Sequence, residues 1–250
     1  MKSKNIIILL LIVFIILFVI LNMFLANTLV KKEASKPEEV YAPQINPGDF
    51  VSKIDNKYLA FTPGKKFIYE GKTEEGIERT EVYVTNEKKS VLGVNAVVVR
   101  DRVWLNGELV EDTKDWYAQD KYGNVWYFGE DSKEIANGKA VSTKGSWEAG
   151  VDGAKLGIVM KANPEVGDSY RQEYYKGEAE DMAEIVSLGV KIKVKYGSFS
   201  NCLKTKDWTP LEPDADEYKY YCPEVGGLVY EVKTKGGDGA QLIDVEKDRI

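Results

Sequence analysis

An unbroken apolar run near the N-terminus places the strongest constraint on what this chain can form. Residues 6–21 are all Ile, Leu, Val or Phe, and after Asn22 the apolar character continues to Ala26. At about 1.5 Å per residue, such a helix spans the roughly 30 Å of a bilayer's hydrocarbon core. It has no polar face, is longer than a signal-peptide core and precedes no small-residue cleavage site. We therefore predict an uncleaved signal anchor within residues 1–30, with a cleaved signal peptide as the alternative.

Basic residues flank both ends of this run, so they do not decide its orientation. Lys2 and Lys4 precede the run, and Lys31, Lys32 and Lys36 follow it. A short basic tail before an apolar run is typical of an export signal, and two cysteines suit an oxidising compartment. These features predict a single-pass protein of the cell membrane, held through residues 6–26, with its C-terminal domain outside.

Two further regions follow the anchor. Residues 31–48 contain Pro37, Pro43 and Pro47 among charged residues, which predicts a partly extended spacer. Residues 49–250 show no internal repeat and no second linker. They predict one extracytoplasmic, β-rich domain.

The domain alternates runs of β-branched and aromatic residues with turn residues, a pattern typical of strands. The predicted strands are 65–72, 77–86, 96–105, 108–120, 124–129, 169–176, 190–195, 198–205, 217–222, 228–234 and 241–245. Asn106-Gly107 predicts a two-residue type I′ hairpin, because both positions need positive φ, and residues 121–124 predict a second hairpin. The glycine-containing stretch 145–157 is predicted as loop. Residues 178–188 fit either a helix or a strand, and we favour the strand. The predicted fold is mainly β, a curved antiparallel meander sheet forming a half-barrel or open barrel.

Charge and composition exclude several classes of function. Without Lys2 and Lys4, 32 basic residues stand against 40 acidic ones, a balance of 32 − 40 = −8. This excess argues against nucleic acid or an anionic lipid surface as the main partner. The sequence has no histidine, which removes Ser-His-Asp and Cys-His catalysis and His-ligated zinc. We therefore predict no catalytic residues, no cofactor and no metal site, and a protein that is not an enzyme.

Clustered carboxylates leave one alternative chemistry open. A glycosidase needs two carboxyl groups about 5–10 Å apart, one of them with a raised pKa. A solvated acidic face is the favoured interpretation, because Glu and Asp are seldom buried. The densest group comprises Glu173, Glu178, Glu180, Asp181 and Glu184, with Glu148 and Asp152 as possible neighbours.

Two weaker candidates are also present. Asp214, Asp216 and Glu217 supply the oxygen ligands that Ca²⁺ prefers, but their spacing matches no EF-hand loop, so a polar turn is favoured. Ser142 and Lys144 share a face if they lie on a strand, yet no motif supports a Ser–Lys pair.

The surplus of aromatic residues predicts a binding surface. On the concave face of a curved sheet, such side chains would form an apolar trough for a lipid, peptide or glycan. The alternative is that they are core residues and cross-strand pairs. Neighbours such as Trp116 and Tyr117 point to opposite faces, so one of them is expected to lie on a non-core face. The candidate ligand-binding residues are Trp104, Trp116, Trp126, Tyr127, Tyr175 and Trp208.

A motif in the C-terminal third resembles the TapB-like family of uncharacterised envelope proteins and lipoproteins. The motif runs from VKIKVKYGSFSNCLKTKDW to EYKYYCPEVGGLVYEV. The matching positions are Gly197, Ser198, Phe199, Tyr220, Tyr221, Pro223, Val225, Gly226 and Val229, and the departures are Lys195, Cys222, Glu224 and Gly227. The resemblance covers about sixty residues, implies a curved half-barrel sheet in the cell envelope and carries no established activity.

These observations lead to one preferred function and two alternatives. We predict an envelope module that binds a hydrophobic ligand or an envelope component without catalysis. The alternatives are a scaffolding subunit of an envelope complex and, third, a carboxylate-based hydrolase. Cys202 and Cys222 lie on consecutive predicted strands, so we predict a disulfide between them; two buried free thiols are the alternative.

Overall fold

The computed structural model of the protein describes residues 41–236 and 239–248. The predicted membrane span at 6–26, and the predicted spacer up to residue 40, lie outside these residues. Within the described ranges, no helix has the length and apolar character needed to cross a membrane. Residues Pro43–Ile250 form one compact unit, and Ile45 at the end of the predicted spacer packs against its apolar residues.

The described residues form seventeen strands and one 3-10 turn at Pro47–Asp49. The first nine strands are β1 (Phe50–Val51), β2 (Lys65–Lys72), β3 (Ile77–Val91), β4 (Val94–Leu105), β5 (Glu108–Asp120), β6 (Val125–Asp131), β7 (Glu134–Ala136), β8 (Lys139–Ser142) and β9 (Trp147–Glu148). The others are β10 (Lys155–Met160), β11 (Ser169–Arg171), β12 (Glu173–Tyr174), β13 (Met182–Lys193), β14 (Ser198–Trp208), β15 (Glu217–Cys222), β16 (Gly227–Lys233) and β17 (Ala240–Lys247).

Antiparallel pairing runs through successive strands from β2 and returns to β2 through β17. Strands β2 to β6 form a meander, β6 also pairs with β10, and β10 pairs with β12. Strand β11 pairs with β13, from which a second meander runs to β17, and β17 pairs with β2. The segment β11–β12, with only Gln172 between its strands, links the two meanders. The sheet is therefore nearly closed into a barrel, which confirms the predicted mainly β, curved antiparallel fold.

Local turn chemistry sets the register of the first meander. Asn106 and Gly107 have φ of 52° and 88°, the positive values that a type I′ turn requires. At the next turn, the Asp120 carboxylate accepts hydrogen bonds from the backbone N–H groups of Tyr122 and Asn124. Both predicted hairpins are confirmed.

The structure settles one segment that the sequence left ambiguous and corrects the prediction for another. The ambiguous residues 178–188 lie largely in the long strand β13, as favoured. The stretch 145–157 is not a simple loop, because β9 and the start of β10 lie within it. The loop prediction took Gly157 as a sign of flexibility, but this glycine is needed for close packing. A Cβ at this position would lie 2.4 Å from the carbonyl carbon of Gln172. The glycine allows β10 to approach the β11–β12 segment closely, where the sequence pattern suggested a flexible connection.

Apolar residues pack on both faces of the sheet. Along β4, Val97 and Val99 belong to an inner cluster, while Ala96 and Val98 belong to an outer one. Trp116 is 8% exposed within the outer cluster. Its neighbour Tyr117 packs against the inner cluster. The expectation that one member of such a pair stays on a non-core face is wrong, because Ile45 and Phe50 of the N-terminal segment pack against the outer cluster.

The predicted disulfide is confirmed. Cys202 on β14 and Cys222 at the end of β15 are bonded, with their Cα atoms 4.2 Å apart. The pair follows the cross-strand pair Leu203 and Tyr221, and both cysteines are fully buried. The bond therefore ties together the two strands that carry part of the interior described next.

Candidate functional site

The inner face of the sheet encloses a cavity of about 360 Å³. Its walls differ in chemistry. One part is aliphatic and aromatic, and another part carries carboxyl groups with a single lysine. The apolar part includes Leu59, Phe61, Phe67, Val82, Val159 and Leu228.

The segment between β1 and β2 supplies part of the apolar wall. The Gln119 side chain accepts hydrogen bonds from the backbone N–H groups of Asp55 and Asn56, at 2.9 and 2.8 Å. The Asn56 amide in turn donates to the carbonyl oxygens of Gly123 and Lys161. These bonds fix the start of the segment, so Leu59 and Phe61 reach the cavity from a position that the sheet itself determines.

A group of acidic residues surrounds Tyr127, and we call Asp115, Tyr127, Glu130 and Glu173 the tyrosine cluster. The Tyr127 hydroxyl lies 2.6 Å from Asp115 Oδ1 and 3.1 Å from Glu130 Oε2. Since a hydroxyl has one proton, satisfying both contacts requires a proton on one carboxyl group. The Trp147 indole N–H donates to Glu173 Oε2 at 2.8 Å.

Burial raises the pKa of each carboxyl group in the tyrosine cluster. Burial, with the neighbouring charges of Asp115 and Glu173, raises the pKa of Glu130 to about 9. The pKa of Glu173 rises to about 8 through burial and the charge of Asp181. The pKa of Asp115 rises to about 7, mainly through burial and against the hydrogen bond from Tyr127. Near neutral pH these groups can therefore hold protons, which is what the shared hydroxyl contact requires.

A second group, the lysine cluster, consists of Lys219, Asp207, Glu217 and Glu231. The Lys219 ammonium lies 3.3 Å from Glu231, 3.7 Å from Asp207 and 3.8 Å from Glu217. Burial alone would lower the pKa of Lys219, but the charges of Glu231 and Asp207 outweigh it and raise the pKa well above its usual value. The lysine cluster thus offsets part of its negative charge internally, while burial raises the pKa of Asp207 and of Glu217.

A second recess adjoins the cavity and has a volume of about 330 Å³. It shares Glu173, Asp181 and Lys219 with the first cavity. Trp208 and Thr209 line its other side. The part of the interior that carries Glu173 and Asp181 therefore borders both the cavity and the adjoining recess.

The six aromatic residues predicted to bind ligand do not form one surface. Tyr127 lines the cavity and Trp208 lines the adjoining recess. Trp116, Trp126 and Tyr175 belong to or pack against the outer cluster. The sixth, Trp104, lies near the Asn106 hairpin beneath the Arg102 guanidinium. They separate because alternate strand residues point to opposite faces and the sheet curves around only one of those faces.

The acidic group predicted from sequence is divided between interior and surface. Glu173 is 8% exposed, so the interpretation as a solvated face is wrong for this residue. It is buried because β12 turns it inwards against Trp147. Asp181 also lines the cavity, whereas Glu178 and Glu180 lie towards the adjoining recess and the Arg171 side chain.

The other candidates form no site. Asp214 and Asp216 pair with Lys235 and Lys206. No three metal-ligating side chains converge anywhere in the described part of the chain. The Ser142 hydroxyl accepts a hydrogen bond from the Lys144 backbone, which is an ordinary turn contact.

Sequence reasoning missed Asp101, Asp115, Glu130 and Lys219. Strand alternation carried part of the signal, since Asp101 follows Val97 and Val99 at the spacing of one sheet face. Glu130 lies on the inner face only because the strand is irregular at Gly129, whose φ is 131°. That irregularity has no clear signature in the sequence.

Comparison with known proteins gives little further information. No family model matches the chain, so membership of the TapB-like family stays a prediction. No curated protein matches it either. Among solved structures it is similar to a putative lipoprotein from Parabacteroides distasonis, with 13% identity and a TM-score of 0.40, over 76% of this chain and 98% of that chain. A similarity of this size carries no argument about function.

Proposed function

We propose that the domain binds a small ligand with an apolar body, without catalysis, in the cavity enclosed by the sheet. The supporting observation is the cavity itself, which combines an apolar wall with a wall that carries five carboxyl groups, one lysine and one glutamine. Ligand sites are commonly concave and mainly apolar, with volumes of about 300–1,000 Å³ and a few polar groups that orient the ligand. The cavity of about 360 Å³ falls within this range.

The rigidity of the walls also supports binding. Phe67 in the apolar wall and Val84 on β3 are almost completely buried. The β1–β2 segment is held by hydrogen bonds to Gln119. A ligand would therefore enter a largely pre-formed site and lose little affinity to the ordering of protein groups.

The proposed location is the outer side of a cell membrane, with residues 6–26 as the anchor. The supporting observation is the Cys202–Cys222 bond, because disulfides persist mainly in oxidising compartments. Alkylation of the full chain, isolated under acid quench and then denatured without reductant, checks this. Protected thiols are expected, and rapid labelling of both cysteines would contradict the location.

Calorimetric titration of the full chain with 2-phenylethanol tests the binding function, with the heat from empty detergent micelles subtracted. We expect saturable binding that Val82→Phe abolishes, because Val82 lines the cavity and a larger ring would fill it. The matched control is Val141→Phe, at a position 62% exposed, which should bind as the wild type does. Absent binding in the wild type, or equal binding in both variants, would refute the cavity as the site.

A further inference from the structure

We infer that the ligand of the cavity is an organic cation, an ammonium group on an apolar body. This inference rests on the proposed function and specifies the ligand's charge. The ammonium would lie against the part of the wall that carries Asp101, Glu130 and Glu173, and the apolar body would lie against Leu59 and Phe61. All five residues line the cavity.

The first argument is charge balance within the interior. Lys219 is engaged by three carboxylates of the lysine cluster. Asp101, Glu130 and Glu173 form no ion pair within 4.0 Å with any lysine or arginine of the described residues. Buried carboxyl groups are normally paired or bound to a cation. The interior therefore has more carboxyl groups than its own lysine compensates.

The second argument is independent of the number of carboxyl groups. Asp101 Oδ1 is buried and accepts no hydrogen bond from any described residue. Its side chain lines the cavity, and Val82 lies directly across from it on β3. An unpartnered buried acceptor lowers stability, and an ammonium donor in the cavity would remove that cost.

The type of cation follows from the arrangement of ligands. A metal ion needs several ligands converging on one point, and no such group exists within the described ranges. An ammonium group has three donors and no acceptor, so one or two carboxyl groups are enough to hold it. The stacked rings of Tyr117 and Tyr127, 4.7 Å apart, add aromatic surface on which an organic cation is stabilised. An apolar wall beside the carboxyl groups suits an amine with a hydrophobic body.

Three probes of nearly equal shape test the inference by calorimetry on the full chain: 2-phenylethylamine, 2-phenylethanol and 3-phenylpropanoate. We expect the amine to bind about tenfold more tightly than the alcohol, which corresponds to about 1.4 kcal/mol. The propanoate should bind more weakly than the alcohol. Equal affinity of amine and alcohol would overturn the inference while leaving the proposed function intact, whereas failure of all three probes would overturn both.

Variants assign the charge selectivity to named residues. Asp101→Asn and Glu173→Gln should each lower the affinity for the amine about fivefold or more, with alcohol binding unchanged as proof of an intact cavity. Glu108→Gln, at an exposed position on β5, is the matched control and should change neither. Amine binding that survives both interior variants would contradict the site, and so would displacement of the amine by calcium chloride.

Discussion

The lysine cluster and the tyrosine cluster lie in the same interior and meet the problem of buried charge in different ways. In the lysine cluster, one ammonium contacts carboxyl groups on three neighbouring strands and offsets part of their charge. In the tyrosine cluster, no lysine or arginine of the described residues forms an ion pair, and raised pKa values let Glu130 and Glu173 hold protons instead. The first arrangement serves stability. The second leaves unused capacity for a positive charge, which is the property expected of a binding site.

Removing the compensating lysine should produce the largest effect. Lys219→Met leaves Asp207, Glu217 and Glu231 close together without a cation. Breaking a buried pair costs about 3–5 kcal/mol, which is the upper bound for the Lys219 side chain at 26% exposure. Urea unfolding of the variant measures the loss. Lys235→Met is the control, because it breaks an exposed pair with Asp214 and should cost less than about 1 kcal/mol. Similar losses in both variants would show that Lys219 is no more important than a surface residue.

The disulfide should rank second. It joins β14 and β15, the strands that carry Asp207 and Lys219. With a sequence separation of 20 residues, the loss of loop-closure entropy in the unfolded chain predicts about 3 kcal/mol, and measured values often fall below this. Unfolding of the double variant Cys202→Ala with Cys222→Ala, compared with the oxidised wild type, measures it. An unchanged midpoint of unfolding would mean that the disulfide does not stabilise the part of the domain that holds the lysine cluster.

The tyrosine cluster should determine how stability depends on pH. Folding raises the pKa of Glu130 to about 9, so between its unfolded value and pH 9 the folded state binds more protons. The contribution of Glu130 is complete in acid and is lost as the pH rises. Raising the pH from 5 to 8 should therefore lower the free energy of unfolding of the wild type. In Glu130→Gln this decrease should be smaller by at least about 1 kcal/mol, the value of one pKa unit.

Urea unfolding at several pH values checks this slope. Glu108→Gln is the matched control, since this exposed residue lies outside the cavity, and its profile should run parallel to that of the wild type. A Glu130→Gln profile that also runs parallel would show that Glu130 ionises normally in the folded state.

The difference between the clusters also separates what the sequence could predict from what it could not. Strand alternation and the Asn106-Gly107 turn predicted most of the sheet, because both depend on local geometry. The cysteine pair was predictable because it lies on consecutive strands. The interior carboxyl groups were not, since Glu130 depends on the irregularity at Gly129 and Glu173 on a long-range contact with Trp147. Charged residues in a sequence suggest solvent, and only the curvature of the sheet turns these inwards.

The most direct test of this account is the titration of the side-chain carboxyl carbons of Glu130 and Glu173 by ¹³C NMR. Glu130→Gln and Glu173→Gln assign the two signals, and Glu108 provides an exposed reference in the same protein. The account predicts midpoints of about 9 for Glu130 and about 8 for Glu173 in the ligand-free protein. Midpoints near that of Glu108 would show that the tyrosine cluster is ionised and solvated, and would contradict an interior with uncompensated buried carboxyl groups.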